Sequence, residues 1–115
     1  MKLRIVSIAS MALMTVALAI PGFAAEGTAK EGGQLFQSQH CVMCHGMDGK
    51  GYAAIHTPDF TSQKWQAAHS DAEITEAITN GKKGTQMPAF SSKLTASQIQ
   101  DLVLYIRSLG SAPKQ

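Results

Sequence analysis

Residues 41–45 of this 115-residue chain read Cys41-Val42-Met43-Cys44-His45. Two cysteines three apart, with a histidine directly after the second, form the attachment pattern of c-type haem. The chemistry needs that spacing. Each thiol adds to one of two vinyl groups on neighbouring pyrroles, and one helical turn brings both thiols under them. His45 follows at once and is aimed at the iron. Two other readings share part of the pattern. A thioredoxin-like dithiol belongs beside a βαβ unit, and the chain has no convincing β-branched strand run. A structural zinc site takes four ligands, and the chain holds only two cysteines.

Around this motif the sequence resembles the class I small soluble cytochromes c, over about Gly32 to Leu109. The resemblance is carried by Gly32-x-x-x-Phe36, by Cys41 to Gly46, and by Pro58-Asp59-Phe60. It continues through Met87-Pro88-Ala89-Phe90 and Leu102-Val103-Leu104-Tyr105-Ile106. It implies an all-α cytochrome c fold of about four short helices packed around one covalently bound haem. It also implies that Gly32 lets the last helix cross close to the first, beside Phe36. The Pro58 carbonyl is expected to accept a hydrogen bond from the free ring nitrogen of His45, a contact that fixes the tautomer of a ligating histidine.

The N-terminus reads as an export signal. Lys2 and Arg4 precede an uncharged, apolar or small run from Ile5 to Ile20, and Pro21-Gly22 breaks it. Gly22-Phe23-Ala24 offers small residues for cleavage after Ala24, with Ala25 as the neighbouring choice. The run of 16 residues is short of the roughly 20 that a spanning helix needs, so an uncleaved anchor is the weaker alternative. Residues 25–115 are then the mature domain, expected in the periplasm, free of the membrane and monomeric. The leader holds two of the ten Lys and Arg and none of the eight Asp and Glu, so the mature chain is formally neutral. Nucleic-acid binding gets no support. A chain this short buries a modest core, and a haem would supply an apolar slab on which helices can pack.

Thr28-x-x-Glu31 is a capping-box pattern opening a helix that reaches about Gln39 with Leu35 and Phe36 inward. Gly46, Gly49 and Gly51 mark a loop running to Phe60. A short helix is predicted over Thr61 to Ala68, with Trp65 as its large apolar anchor against the haem. Ser70-x-x-Glu73 opens a helix carrying Ile74, Ala77 and Ile78 on one face and ending at Asn80-Gly81. Thr95-x-x-Gln98 opens the last helix, with Ile99, Leu102, Val103 and Ile106 on one face and Tyr105 and Leu109 flanking. Arg107 is expected in its last turn and Gly110 just beyond it.

Iron held by His45 needs a second axial ligand or stays open. The mature methionines are Met43, Met47 and Met87. Met43 lies between the attaching cysteines, and Met47 is too close to His45 to cross the porphyrin plane. Met87 lies 42 residues past His45, in a loop from Gly81 to Ser92 that is long enough to cover the far face, and Pro88 stiffens the turn. It is the expected distal ligand. His40 is pinned beside Cys41, and His56 and His69 are the rival ligands. A histidine–methionine pair suits one-electron transfer and raises the potential relative to bis-histidine.

The expected function is a soluble electron carrier passing electrons between a donor and an acceptor redox protein. The alternatives are a dedicated electron-accepting subunit of a dehydrogenase and a haem-based sensor with a labile Met87. No acid–base pair suggests an enzyme proper. Lys50, Lys82, Lys83 and Lys93 could ring the exposed edge and steer an acidic partner.

Overall fold

The computed structural model describes residues 27–111. The leader read at residues 1–24, with its cleavage point, lies outside them. The described residues form α1 (Ala29–Ser38), α2 (Val42–His45), α3 (Gln63–Ala68), α4 (Asp71–Asn80) and α5 (Ala96–Ser111), with one tight helical turn at Ala53–Ile55 and no strand. This is the all-α architecture expected, with the haem-motif turn counted as a helix of its own.

The helix starts are dictated locally. Ser70 and Glu73 exchange side-chain and backbone bonds in a full capping box, and Thr95 and Gln98 do the same (2.9 and 3.1 Å). At α1 only half of the expected box forms. Thr28 Oγ1 accepts from Glu31 N–H, but Thr28 N–H donates to Asp101 Oδ1 at 2.8 Å instead of to Glu31. Among the described residues Asp101 is the one buried charged side chain, 6% exposed. Its carboxylate ties the start of α1 to α5 across 73 residues of sequence. The short helix α3 begins at Gln63, two residues later than expected, because Ser62 takes the cap and accepts from Trp65 N–H.

The core joins Phe36 of α1 and Phe60 of the loop to Ile74 and Ile78 of α4. Phe90 and Leu94 add to it, and Ile99, Leu102, Val103 and Ile106 line the inner face of α5. α1 lies along α5, and Gly32 is where they meet. A Cβ at Gly32 would run into the backbone carbonyl of Asp101 and stand 2.8 Å from Tyr105 Cβ. Phe36, one turn on, is 2% exposed and packs its ring 5.1 Å from that of Tyr105.

The C-terminal end differs from expectation in two places. Gly110 lies within α5, which runs to Ser111. It is buried because Gln66 fills the space a side chain would need, with Gln66 Cγ 2.5 Å from where a Cβ would lie, and its carbonyl accepts from Gln63 Nε2. Arg107 is not in the last turn and does not serve the helix dipole there. Its guanidinium bonds Asp71 Oδ1 (2.6 Å), the Gln66 carbonyl and Oε1 (both 2.8 Å) and the His69 carbonyl (2.6 Å). Asp71 is exposed, so the ion pair itself is worth only about 0–1 kcal/mol. The bonds to fixed main-chain carbonyls are what hold α3 and the start of α4 against α5.

The closeness at Gly32 predicts that Gly32→Val destabilises the domain at the upper end of about 1–3 kcal/mol, because the branched side chain meets helix backbone rather than a movable side chain. Thermal melting checks this; a parent-like melt would place the crossing elsewhere.

Candidate functional site

The attachment turn is prepared by the residue before it. His40 ends α1 in the left-handed conformation (φ 63°), a C-terminal position more often given to glycine or asparagine. That reversal lets Cys41 begin a new helical turn at once. Cys44 N–H and His45 N–H donate to the Cys41 carbonyl (3.2 and 2.9 Å), and Gly46 N–H donates to Val42 (2.9 Å). Cys41 and Cys44 therefore sit one turn apart with free thiols, and His45 follows. Gly46, at φ 79°, stops the turn.

The loop after it folds back onto His45. Gly51 N–H donates to the His45 carbonyl (2.8 Å), and Phe60 N–H donates to the Gly49 carbonyl (2.8 Å). The second bond brings the buried Phe60 ring onto the His45 imidazole, centroids 4.9 Å apart and nearly parallel at 21°. Phe36 approaches from the α1 side at 6.2 Å. Two phenyl rings thus fix the imidazole. The Phe60 contact was not legible as such in the sequence; the hydrogen bond from Phe60 to Gly49, eleven residues back, makes it.

The environment sets protonation. Burial holds the His45 imidazole below the ordinary histidine range, so the ring is neutral at pH 7, the form that ligates a metal. Burial also pushes the Cys41 thiol up to about 11, outweighing a lowering backbone hydrogen bond. A reactive dithiol relies on a stabilised thiolate, and burial at Cys41 works against one.

His45 Nδ1 is buried without a hydrogen-bond partner. The bond expected from the Pro58 carbonyl is not made in this structure. That carbonyl packs against Gly51 instead, where a Cβ would stand 2.5 Å from it and 2.6 Å from the Thr57 carbonyl. Met87 is half-buried and packs on the hydrophobic core. Its loop is pinned by Met87 N–H to Thr85 Oγ1 (3.2 Å) and by Lys82 N–H to the Met87 carbonyl (3.2 Å). Trp65 also borders the core, with its ring 4.7 Å from Phe60 and so one ring removed from His45. His40 and His56 are exposed, and His69 is half-buried beside Trp65. Lys50, Lys82, Lys83 and Lys93 are all exposed, with the Lys93 ammonium 5.8 Å over the Phe90 ring.

Haem fits these residues. Both thiols are free on one face of one turn, a neutral imidazole adjoins them with an unpartnered ring nitrogen, and apolar Met43 and Met47 beside it are 71% and 67% exposed. Helices gathered on such a turn define a c-type cytochrome domain with covalently attached haem c and its iron. The chain belongs to the family described as cytochrome c oxidase, cbb3-type, subunit III, which matches residues 27–106. It is 35% identical over 82 residues to the cbb3-type cytochrome c oxidase subunit FixP of Bradyrhizobium sp. (strain ORS 278), covering 71% of this chain and 28% of that one. It is 32% identical over 80 residues to subunit CcoP of Cereibacter sphaeroides, covering 70% and 27%. The chain thus spans little more than a quarter of these curated relatives. Among solved structures, the KustC0563 c-type cytochrome superposes with a TM-score of 0.62 at 34% identity, over 68% of this chain and 95% of that one.

Gly51 holds φ 70° with two carbonyls where a side chain would go. Gly51→Ala is expected to destabilise the haem-loaded protein by more than about 1 kcal/mol, read from its melting midpoint. An unchanged midpoint would show that the Thr57–Pro58 strand of the loop does not press on this glycine.

Proposed function

We propose that this electron-transfer domain holds its iron between His45 and Met87 and passes single electrons to and from one redox enzyme complex. The observation that carries the reading is the attachment turn itself, with a neutral His45 clamped by Phe60 and Phe36 directly after two free thiols. Cys41 and Cys44 anchor the porphyrin as thioethers. His45 supplies the proximal nitrogen, and the stacked Phe60 ring, with Phe36 tilted on the other side, limits its rotation. When that nitrogen is committed to iron, Nδ1 carries the proton, and the Pro58 carbonyl is the acceptor proposed for it. Met87 supplies a neutral, soft thioether from a loop already pinned at Lys82 and Thr85. Trp65 closes the apolar wall behind Phe60. When bound, the haem would supply a one-electron ferric/ferrous couple, and with His45 and Met87 both on its iron it would offer no open position to oxygen or peroxide.

Service to one complex is favoured over a free shuttle because the matched relatives are named as oxidase subunits. The freely diffusing carrier is the second reading, supported by the match to 95% of a c-type cytochrome structure. Both place the domain in the periplasm with residues 1–24 removed. Among the described residues no helix is long and apolar enough to cross a membrane. The exposed Lys50, Lys82, Lys83 and Lys93 would steer an acidic donor or acceptor. Co-purification of the tagged full chain with an oxidase assembly separates the readings: retention through salt washing supports the dedicated role, and clean recovery alone supports the shuttle.

Met87→Ala is expected to open the ferrous iron to carbon monoxide, lower the potential, and remove the weak far-red band that ferric haem owes to a sulfur ligand. Met87→His should remain six-coordinate and low-spin at a lower potential. A Met87→Ala protein that keeps the far-red band and refuses carbon monoxide would assign the ligand to another residue, with His56 and His69 next in line.

A further inference from the structure

Four aromatic rings run in unbroken sequence from the iron-ligand position to the surface. His45 stacks on Phe60 (4.9 Å, 21°), Phe60 meets Trp65 (4.7 Å, 58°), and Trp65 stacks on His69 (4.5 Å, 20°). The other branch from His45 is looser, with 6.2 Å to Phe36 and 5.1 Å on to Tyr105. The Trp65–His69 step is not required by the core. Both residues are only partly buried, yet the rings are held parallel. His69 Nδ1 is bonded to the Trp65 carbonyl at 2.9 Å, and the His69 carbonyl accepts from Arg107 at 2.6 Å. Because a carbonyl can only accept, Nδ1 donates in that bond. The outermost ring is therefore fixed in place at the junction of α3 and α4.

We propose that this ladder is a second electron outlet, coupling the iron through His45, Phe60 and Trp65 to an acceptor seated at His69. It rests on the reading that His45 holds the iron. One electron leaves the ferrous centre and enters a one-electron acceptor, the metal centre of a second redox protein. The rings carry it by tunnelling, are themselves neither oxidised nor reduced, and no proton moves. Close ring-to-ring contact favours such coupling because it keeps each through-space step between successive π-systems short.

The test uses the haem-loaded protein with a photoactive ruthenium complex coordinated to one surface histidine. His40→Asn and His56→Asn leave His69 as the attachment point; His40→Asn and His69→Gln leave His56, which lies off the ladder. Flash-generated Ru(III) then draws an electron from the ferrous haem, and transient absorption gives the rate. Trp65→Leu is expected to slow transfer to the label on His69 at least severalfold more than transfer to the label on His56. Trp65→Phe, which keeps a ring, should recover most of the rate. Trp65→Met keeps the bulk without a ring and gives the same comparison if the leucine variant loads haem poorly. An unchanged rate at His69, or equal slowing at both labels, overturns the outlet. A His45→Ala protein whose ferric and ferrous haem spectra match the parent's would instead reject iron ligation by His45, and the outlet with it.

Discussion

The contact on which the rest of the domain depends is the near-touching of α1 and α5 at Gly32. With no side chain there, the α5 backbone at Asp101 comes against α1. Asp101 then reaches the first N–H of the α1 region and caps it from across the chain. One helical turn beyond Gly32, this closeness buries Phe36 between Tyr105 and His45. The attachment turn therefore inherits its position from a helix crossing that contains none of the attaching residues.

A second polar clamp completes the frame. Gln66 donates to the Phe60 and Ile106 carbonyls at 2.7 and 2.9 Å, and Arg107 grips Gln66 and His69 from α5. Phe60 is thereby tied from two sides, through Gln66 to α5 and through its own N–H to Gly49. The Gln66 and Arg107 bonds each join a side chain to a backbone carbonyl of another segment, which fixes the two segments against each other. The ring that stacks on His45 is consequently among the best-anchored parts of the site, and a metal-binding imidazole needs such support from its surroundings.

Much of this was legible in the sequence because the signals are local. Capping patterns at Ser70 and Thr95, the glycines after His45, and one-face apolar spacing in α4 and α5 each act within a few residues. The crossing at Gly32 was also readable, through resemblance. What was not readable is long-range and polar. Asp101 looks like any charged helix residue until α1 is laid against it, and Arg107 looks like a dipole partner until its carbonyl acceptors 38 and 41 residues away are in place. Gly110 carries the composition of a helix stop, but Gln66 makes it a packing position inside α5. The expected bond between Pro58 and His45 came from resemblance alone; in the structure that carbonyl lies beside Gly51 and His45 Nδ1 has no partner.

The central claim is that Cys41 and Cys44 carry one haem covalently, with His45 on its iron. The most direct test is the intact mass of the full chain, exported from a host that attaches haem, measured after acid–acetone extraction, alongside its pyridine haemochrome spectrum. The mass of one polypeptide plus one haem, with the band of two thioether links, is the predicted result. A haem-free polypeptide with Cys41 and Cys44 joined as a disulfide or holding zinc would contradict it.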